Sequence, residues 1–368
     1  MKLLRYTVAT GISAASAILY NKDKIAREYL VPYIYSLDPE KAHNITIKLL
    51  SLGFSPKVEI YENESLKCHL FGKPFKNPVG LAAGFDKNAV AYRTLYDWGF
   101  SFIEVGTMTP LPQEGNQKPR IFRFENSIKN RCGLNNDGID NILPRLFHPV
   151  DKTLGVNIGI NNDSENIVND YMNQVISLNR CADYTVINIS CPNVNHNIQG
   201  NRELVEKIIM ETRKVSNVPL VIKISPDIGN KQLKFIANKC LEHNIDGIII
   251  GNTARCVEGG LSGEPIRDMA TQTIRDFYRI TGGKIPIIGC GGIFTGRDAY
   301  EKIKEGASLV QIYSAMIFNG PEAVNTINTE LAELLKEDKH TSIAEAVGKN
   351  HTYWRSILDT VYYYLNYN

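Results

Sequence analysis

At 368 residues, with 43% hydrophobic and 22% charged side chains, the chain has the make-up of an ordinary globular protein, long enough for one large α/β barrel or two average domains. A net charge of +2, with no run of Lys or Arg interleaved with aromatics, leaves no footprint for nucleic acid and is neutral on small anionic ligands. The seven cysteines are scattered, without a CxxC pair or a Cys/His cluster of metal-ligand spacing, so neither a disulfide framework nor a metal site is expected and a reducing compartment is the default.

Residues 1–23 start with Lys2 and Arg5, carry no acid before Asp23 and contain sixteen uncharged residues from Tyr6 to Asn21. That stretch is shorter than the ~20 residues of a comfortable spanning helix and lacks a clear small-residue cleavage site. A basic, acid-poor start of this kind fits a mitochondrial import signal that also serves as a short membrane anchor.

From Lys24 to Phe54 the spacing predicts two short helices. Ile25, Tyr29, Leu30, Tyr33 and Ile34 recur at intervals of three to four. Asp38-Pro39-Glu40 then reads as an N-cap followed by proline at the first helical position. Ala42, Ile45, Leu49, Leu50 and Leu52 make the next apolar stripe, closed by Gly53. Two such helices cannot bury both faces by themselves. They pack on the main body, lie on a membrane or enclose something between them.

Beyond Val79 the pattern changes to short apolar strands: 79–84, 101–107, 154–159, 184–190, 219–225, 246–252, 284–292 and 308–313. Segments of helical periodicity follow them, among them ENIVNDYMNQVISL, ELVEKIIMETRKV, QLKFIANKCLEH and AYEKIKEGA. Eight such repeats predict an α/β fold, a (β/α)8 TIM barrel with a small N-terminal two-helix extension, with a doubly wound sheet as the competing architecture.

Polar residues cluster at the C-terminal ends of these strands, the rim where barrel active sites sit. In chain order they are Lys87, Thr107, Asn157, Asn188 with Cys191 and Asn193, Lys223, Asn252 with Thr253, Gly291-Gly292, and Tyr313-Ser314. Any one could be a satisfied core polar group, but five or more converging on one rim point to a site. The glycine pair and Ser314 follow strands seven and eight, where backbone N–H groups commonly bind phosphate. The set holds no Ser/His/Asp triad, carboxylate pair or metal cluster. Its lysines and amides suit a planar, anionic, carbonyl-rich ligand such as a flavin with a ribityl phosphate, and Cys191 is left to move a proton at carbon. A thiol's ordinary pKa of about 8.5 is near enough to neutral for base work, and a nearby cation would lower it.

The segment NPVGLAAGFDKNAVAYRTLYDWGFSFIEVGTMTPLPQEGNQKPRIFRF, with NRCGLNNDG, LGVNIG, INISCPN, VIKISPD, GGLSGEPIRD, PIIGCGGI and GASLVQIYSA, resembles the dihydroorotate dehydrogenase family from about Lys24 to His351. LVPYIYSLDPEKAH further resembles its membrane-associated, quinone-reducing class 2. The resemblance implies oxidation of dihydroorotate to orotate in pyrimidine (UMP) biosynthesis, with FMN as hydride acceptor and ubiquinone as final acceptor. Carried over by position, FMN draws on Ala82, Ala83, Gly84, Thr107, Asn157, Asn188 and Lys223, with Gly263, Gly292, Tyr313 and Ser314 at its phosphate end. Dihydroorotate or orotate contacts Lys87, Asn130, Asn188, Asn193, Asn252 and Thr253, and Cys191 takes the C5 proton. His43, Arg123 and Tyr313 line a quinone tunnel, Arg123 having a plain alternative as a surface ion-pair residue. The implied organisation is a targeting or anchor segment at 1–23, a helical tunnel extension at 24–60, the FMN-binding barrel at 61–351 and a tail at 352–368. The implied location is the mitochondrial inner membrane, with the N-terminal helices on its surface.

The chain also departs from the class 2 pattern. Cys191 stands where class 2 usually has serine and class 1 cysteine, Leu134 where class 2 usually has phenylalanine, and Cys132 where an aromatic or methionine is common. Two other readings therefore stand beside the first: a class 1-like enzyme using fumarate or another soluble acceptor, and a non-redox phosphate-binding barrel.

Overall fold

Eight apolar segments pair in parallel and in chain order: β1 (Val79–Leu81), β2 (Phe102–Met108), β3 (Thr153–Ile158), β4 (Tyr184–Asn188), β5 (Leu220–Ile224), β6 (Gly247–Ile250), β7 (Ile287–Cys290) and β8 (Ala307–Ile312). β8 pairs back onto β1 through Val310–Val79 and Ile312–Leu81, which closes the barrel. The computed structural model describes residues 26–147, 152–193 and 197–351. The import or anchor segment and the 352–368 tail fall outside the described residues.

Closure follows from the residue types. β2, β3, β4, β5, β6 and β7 are buried along their whole length, a burial that parallel strands reach only when helices cover the outside and side chains fill the inside. The covering helices carry local start signals. Asn166 caps Ile167–Leu178, Asn201 caps Arg202–Val215, and Thr295 with Asp298 forms a capping box on Gly296–Lys304. A hairpin of Cys68–Leu70 and Lys73–Phe75 plugs the N-terminal end, with Phe71 against the Tyr184 ring and Phe75 against Phe102.

The periodicity does not predict a four-stranded antiparallel sheet at the opposite end. It is ordered Ala254–Cys256, Gly259–Gly263, Ser127–Asn130, Ile121–Phe124 and is formed by two chain excursions, one after β2 and one after β6. Its strands are short and largely half-buried, without a clean alternation of apolar and polar residues.

The N-terminal extension forms two α-helical pieces, α1 (Val31–Ser36) and α2 (Pro39–Ser51), after one π-type turn at Ala26–Leu30. Asp38 caps α2 by accepting from the Glu40 and Lys41 N–H groups at 3.1 Å, and Pro39 occupies its first turn. α2 is anchored to the barrel by Leu50, which is fully buried, and by Glu40, which accepts from Arg120 Nη2 at 2.8 Å. α1 buries no residue completely, and Tyr29, Leu30, Val31, Tyr33 and Tyr35 stay exposed. Among the described residues no helix is long and apolar enough to cross a membrane.

Candidate active site

A cavity opens at the C-terminal rim of the barrel under the four-stranded sheet, with about 1110 Å³ of empty space partly open to solvent. Strand ends supply its floor: Thr107 from β2, Asn188 from β4, Lys223 from β5 and Gln311 from β8. The sheet supplies its roof through Ile121, Ile128, Asn130 and Gly263. The rim residues predicted from sequence converge here: Ala82, Ala83, Gly84, Lys87, Thr107, Asn130, Asn188, Cys191, Asn193, Lys223, Asn252, Thr253, Gly263, Gly292, Tyr313 and Ser314 all line this one cavity. Asn157 does not. It lies fully buried one layer below, where its amide accepts from Thr107 Oγ1 at 2.6 Å and donates to Glu104 Oε1 at 2.7 Å.

Glu104 is the principal residue that the rim reading overlooks. Fully buried in β2, it also receives Lys223 Nζ at 3.0 Å and Gln311 Nε2 at 2.6 Å. A carboxylate inside the apolar strand SFIEVGT was its only sequence signal. A charge there is tolerated because three donors from three other strands meet it. The network continues upward through Asn188 Nδ2 to Thr107 Oγ1 at 3.2 Å and Asn252 Nδ2 to Asn188 Oδ1 at 3.2 Å. Polar groups at the floor are thereby fixed in orientation before any ligand arrives.

The opposite end of the cavity is lined by glycine backbone, and the protein's own packing requires those glycines. Gly263 and Gly292 have φ of +100° and +69°, and a Cβ on Gly292 would stand 2.4 Å from the Arg267 Cβ. Ser314 Oγ sits beside Ser262 Oγ at 3.2 Å, at the start of the short helix Ser314–Asn319.

Between the two ends lie the groups able to act on a small ligand. Asn193 Nδ2 donates to Asn130 Oδ1 at 3.1 Å, holding two amides side by side. Lys87 Nζ donates to the Gly84 carbonyl at 2.8 Å, and burial holds its pKa below the ordinary lysine range. Cys191 follows β4, and burial pushes its thiol up to about 11, outweighing the backbone N–H of Asn193 that favours the thiolate. The expectation of a thiol poised near neutrality is therefore corrected: apolar surroundings dominate, and among the described residues no cation offsets them.

A second cavity, with about 1780 Å³ of empty space, runs between α1, α2 and the barrel wall. Its lining is largely apolar, including Leu30, Val31, Ile34, Leu49, Leu50 and Met316, and it contains His43, Arg123 and Tyr313, the three predicted tunnel residues. Tyr313, Ile121 and Ile128 line both cavities, so the two are separated by single side chains. Arg123 is no surface ion-pair residue among the described groups: its guanidinium lies 3.8 Å over the Tyr35 ring and donates to the Tyr35 and Leu37 carbonyls.

The sequence profile described as dihydroorotate dehydrogenase matches residues 65–335. The chain belongs to the dihydroorotate dehydrogenase family. It is similar to the mouse protein named dihydroorotate dehydrogenase (quinone), mitochondrial, with 41% identity over 360 residues, covering 89% of this chain and 91% of that one. A bacterial relative named dihydroorotate dehydrogenase (quinone), from Rhodospirillum rubrum, is 40% identical over 343 residues, covering 87% of this chain and 93% of its own length. Among solved structures, ligand-free dihydroorotate dehydrogenase from Eimeria tenella superposes with a TM-score of 0.81 at 37% identity, covering 86% of this chain and all of that one. Membership in the quinone class of the dihydroorotate dehydrogenase family accords with the helical extension.

Proposed function

We propose that the chain oxidises dihydroorotate to orotate in pyrimidine biosynthesis, with FMN in the barrel cavity and a quinone in the apolar cavity beside it. The observation that carries this reading is the pairing of a polar rim cavity with a large apolar one across Tyr313. A purely soluble acceptor such as fumarate needs no apolar chamber, and a non-redox barrel needs no second chamber at all.

The residues present fit FMN. Gly263, Gly291 and Gly292 line one end of the cavity with bare backbone, and Ser314 adds a hydroxyl there, a setting that suits a phosphate. Thr107, Asn188 and Lys223 offer donors and acceptors at the floor for the polar edge of a ring system, and Asn157 holds Thr107 from beneath. When bound there, FMN would supply a two-electron acceptor for the hydride leaving C6 of the substrate.

The protein's own part is binding, orientation and proton transfer. Lys87 neutralises the substrate carboxylate, while Asn130, Asn193, Asn252 and Thr253 hold its ring amides. Cys191 removes the C5 proton as its thiolate, which forms by loss of the thiol proton to solvent before substrate binds and is a small fraction at neutral pH because burial favours the thiol. His43, Arg123 and Tyr313 face the quinone, and the exposed apolar residues of the α1 region rest on the membrane from which a lipid-soluble acceptor arrives. The mitochondrial inner membrane is the site this implies.

The visible spectrum tests the whole reading. Purified protein is expected to be yellow, to bleach on dihydroorotate, and to recover with a ubiquinone analogue far faster than with fumarate. A colourless protein after FMN addition refutes it, and recovery with fumarate alone favours the soluble-acceptor reading.

A further inference from the structure

A third cavity lies between α2 and the barrel rim, with about 770 Å³ of empty space and mostly polar walls. Asn44 and Val90 are exposed at its mouth, and Glu40, Arg120 and Asn135 line its sides. The Asn135 Oδ1 atom is buried and has no partner in the described structure, which is the mark of a site that takes water. Two of its walls are shared. Lys87 and Cys132 also line the substrate cavity, while His43, Phe85 and Ile121 also line the apolar one.

His43 is thus the polar residue common to the wet and the apolar cavity. Its ring stands edge-on to Phe85 at 5.2 Å and makes no hydrogen bond to another described residue. No described residue therefore occupies either ring nitrogen, and the ring borders both cavities. Burial first, and the nearby Lys87 charge second, push its pKa down to about 3, so the imidazole is neutral, with one donor and one acceptor nitrogen.

We infer that the polar cavity is the proton inlet of quinone reduction, with His43 passing the proton through the wall into the apolar cavity. The inference rests on the quinone-reducing function proposed above. Dihydroorotate gives up two electrons and two protons in becoming orotate, and a quinone takes up two of each in becoming quinol. At the quinone, an O–H bond forms as the His43 N–H bond breaks, while cavity water gives a proton to the other ring nitrogen. Bulk solvent returns that proton to the water through the Asn44 mouth, and the electrons come from the substrate. Among the described residues the largely apolar quinone cavity shares no polar wall with either neighbouring cavity besides His43 and Tyr313, and burial holds the Tyr313 hydroxyl firmly protonated.

Asn135→Leu, which replaces the unpartnered amide by an apolar group, tests the inlet without touching residues assigned to either ligand. Stopped-flow reoxidation of the reduced protein by a soluble ubiquinone analogue is expected to slow about fivefold or more, with a solvent deuterium isotope effect rising to about 3. Reoxidation by ferricyanide, which takes electrons without protons, and bleaching by dihydroorotate are expected to stay unchanged. Quinone binding, read by quenching of Trp98 in the apolar cavity, is expected to stay unchanged as well. Asn44→Leu at the exposed mouth is a second variant with the same expected pattern should Asn135→Leu fold poorly. Quinone reoxidation at the unmodified rate and isotope effect in the folded variant overturns the inlet. An unmodified protein that bleaches but never passes electrons to quinone overturns the function on which it rests.

Discussion

Glu104 and Lys223 form an ion pair of 3.0 Å inside the barrel, with the carboxylate fully buried and the lysine 4% exposed. The pair sits directly beneath the rim cavity, and Asn157 and Gln311 also donate to the carboxylate. Buried pairs of this kind contribute little relative to an apolar core, but removing one partner strands the other charge. Glu104→Leu is expected to lower unfolding stability by about 3–5 kcal/mol in urea melts. The double variant Glu104→Leu with Lys223→Met is expected to regain much of that loss while binding FMN poorly. Equal melting of single and double variants would refute the charge-pair account.

Cys191 is expected to set the pH dependence of substrate oxidation. Below a thiol pKa of about 11 the thiolate fraction grows with pH. The single-turnover bleaching rate is therefore expected to climb by up to about tenfold per pH unit across the neutral range. Cys191→Ala is expected to abolish bleaching while leaving FMN bound, and Cys191→Ser to keep weak activity that also rises with pH. Near-normal bleaching in Cys191→Ala would remove the thiol from the role of base.

Lys87 is expected to oppose that trend in substrate affinity. Its pKa is depressed by burial, so the charge proposed to pair with the substrate carboxylate is present below that pKa and lost as pH rises through it. The KM for dihydroorotate is expected to increase with pH. Lys87→Met is expected to raise KM about 10- to 100-fold and to flatten its pH profile. An unchanged KM in Lys87→Met would place the carboxylate elsewhere.

Arg123 is expected to separate the two halves of the proposed reaction. Its stacking on Tyr35 and its bonds to the turn between α1 and α2 hold the mouth of the apolar cavity. Arg123→Ala is expected to raise the KM for a ubiquinone analogue about 5- to 30-fold and to leave dihydroorotate bleaching at its normal rate. A variant slowed equally in both half-reactions would show that the arginine stabilises the fold instead.

Gly292 tests the phosphate end. A methyl group there would meet the Arg267 Cα at 2.5 Å, and the positive φ disfavours any side chain. Gly292→Ala is expected to lose most of its FMN on gel filtration, with the barrel still folded by circular dichroism. Full retention of colour would move the phosphate away from this glycine.

How much of this was legible beforehand depends on how local the signal is. The apolar strands, the Asp38-Pro39 cap, and the polar residues at strand ends are local patterns, and the eight strands and α2 stand where these patterns put them. The long ordered motifs likewise identified the family, which the relatives then bore out. The roof sheet was not legible, because its short half-buried strands carry no periodicity and pair across about 130 residues, as Ser127 does with Gly263. Glu104 was not legible as a hub, because its partners Asn157, Lys223 and Gln311 come from three other strands.

By itself, then, the sequence determined a (β/α)8 barrel, a rim rich in amides and lysines, and a cysteine among them, since each is written in residue type and spacing. Only the tertiary structure decided how these groups behave. It set Lys223 on Glu104, stacked Arg123 on Tyr35, and stood His43 between a wet cavity and an apolar one. It also raised the Cys191 thiol instead of lowering it, because a pKa answers to the burial and charges that folding assembles around a group, and those neighbours come from distant parts of the chain.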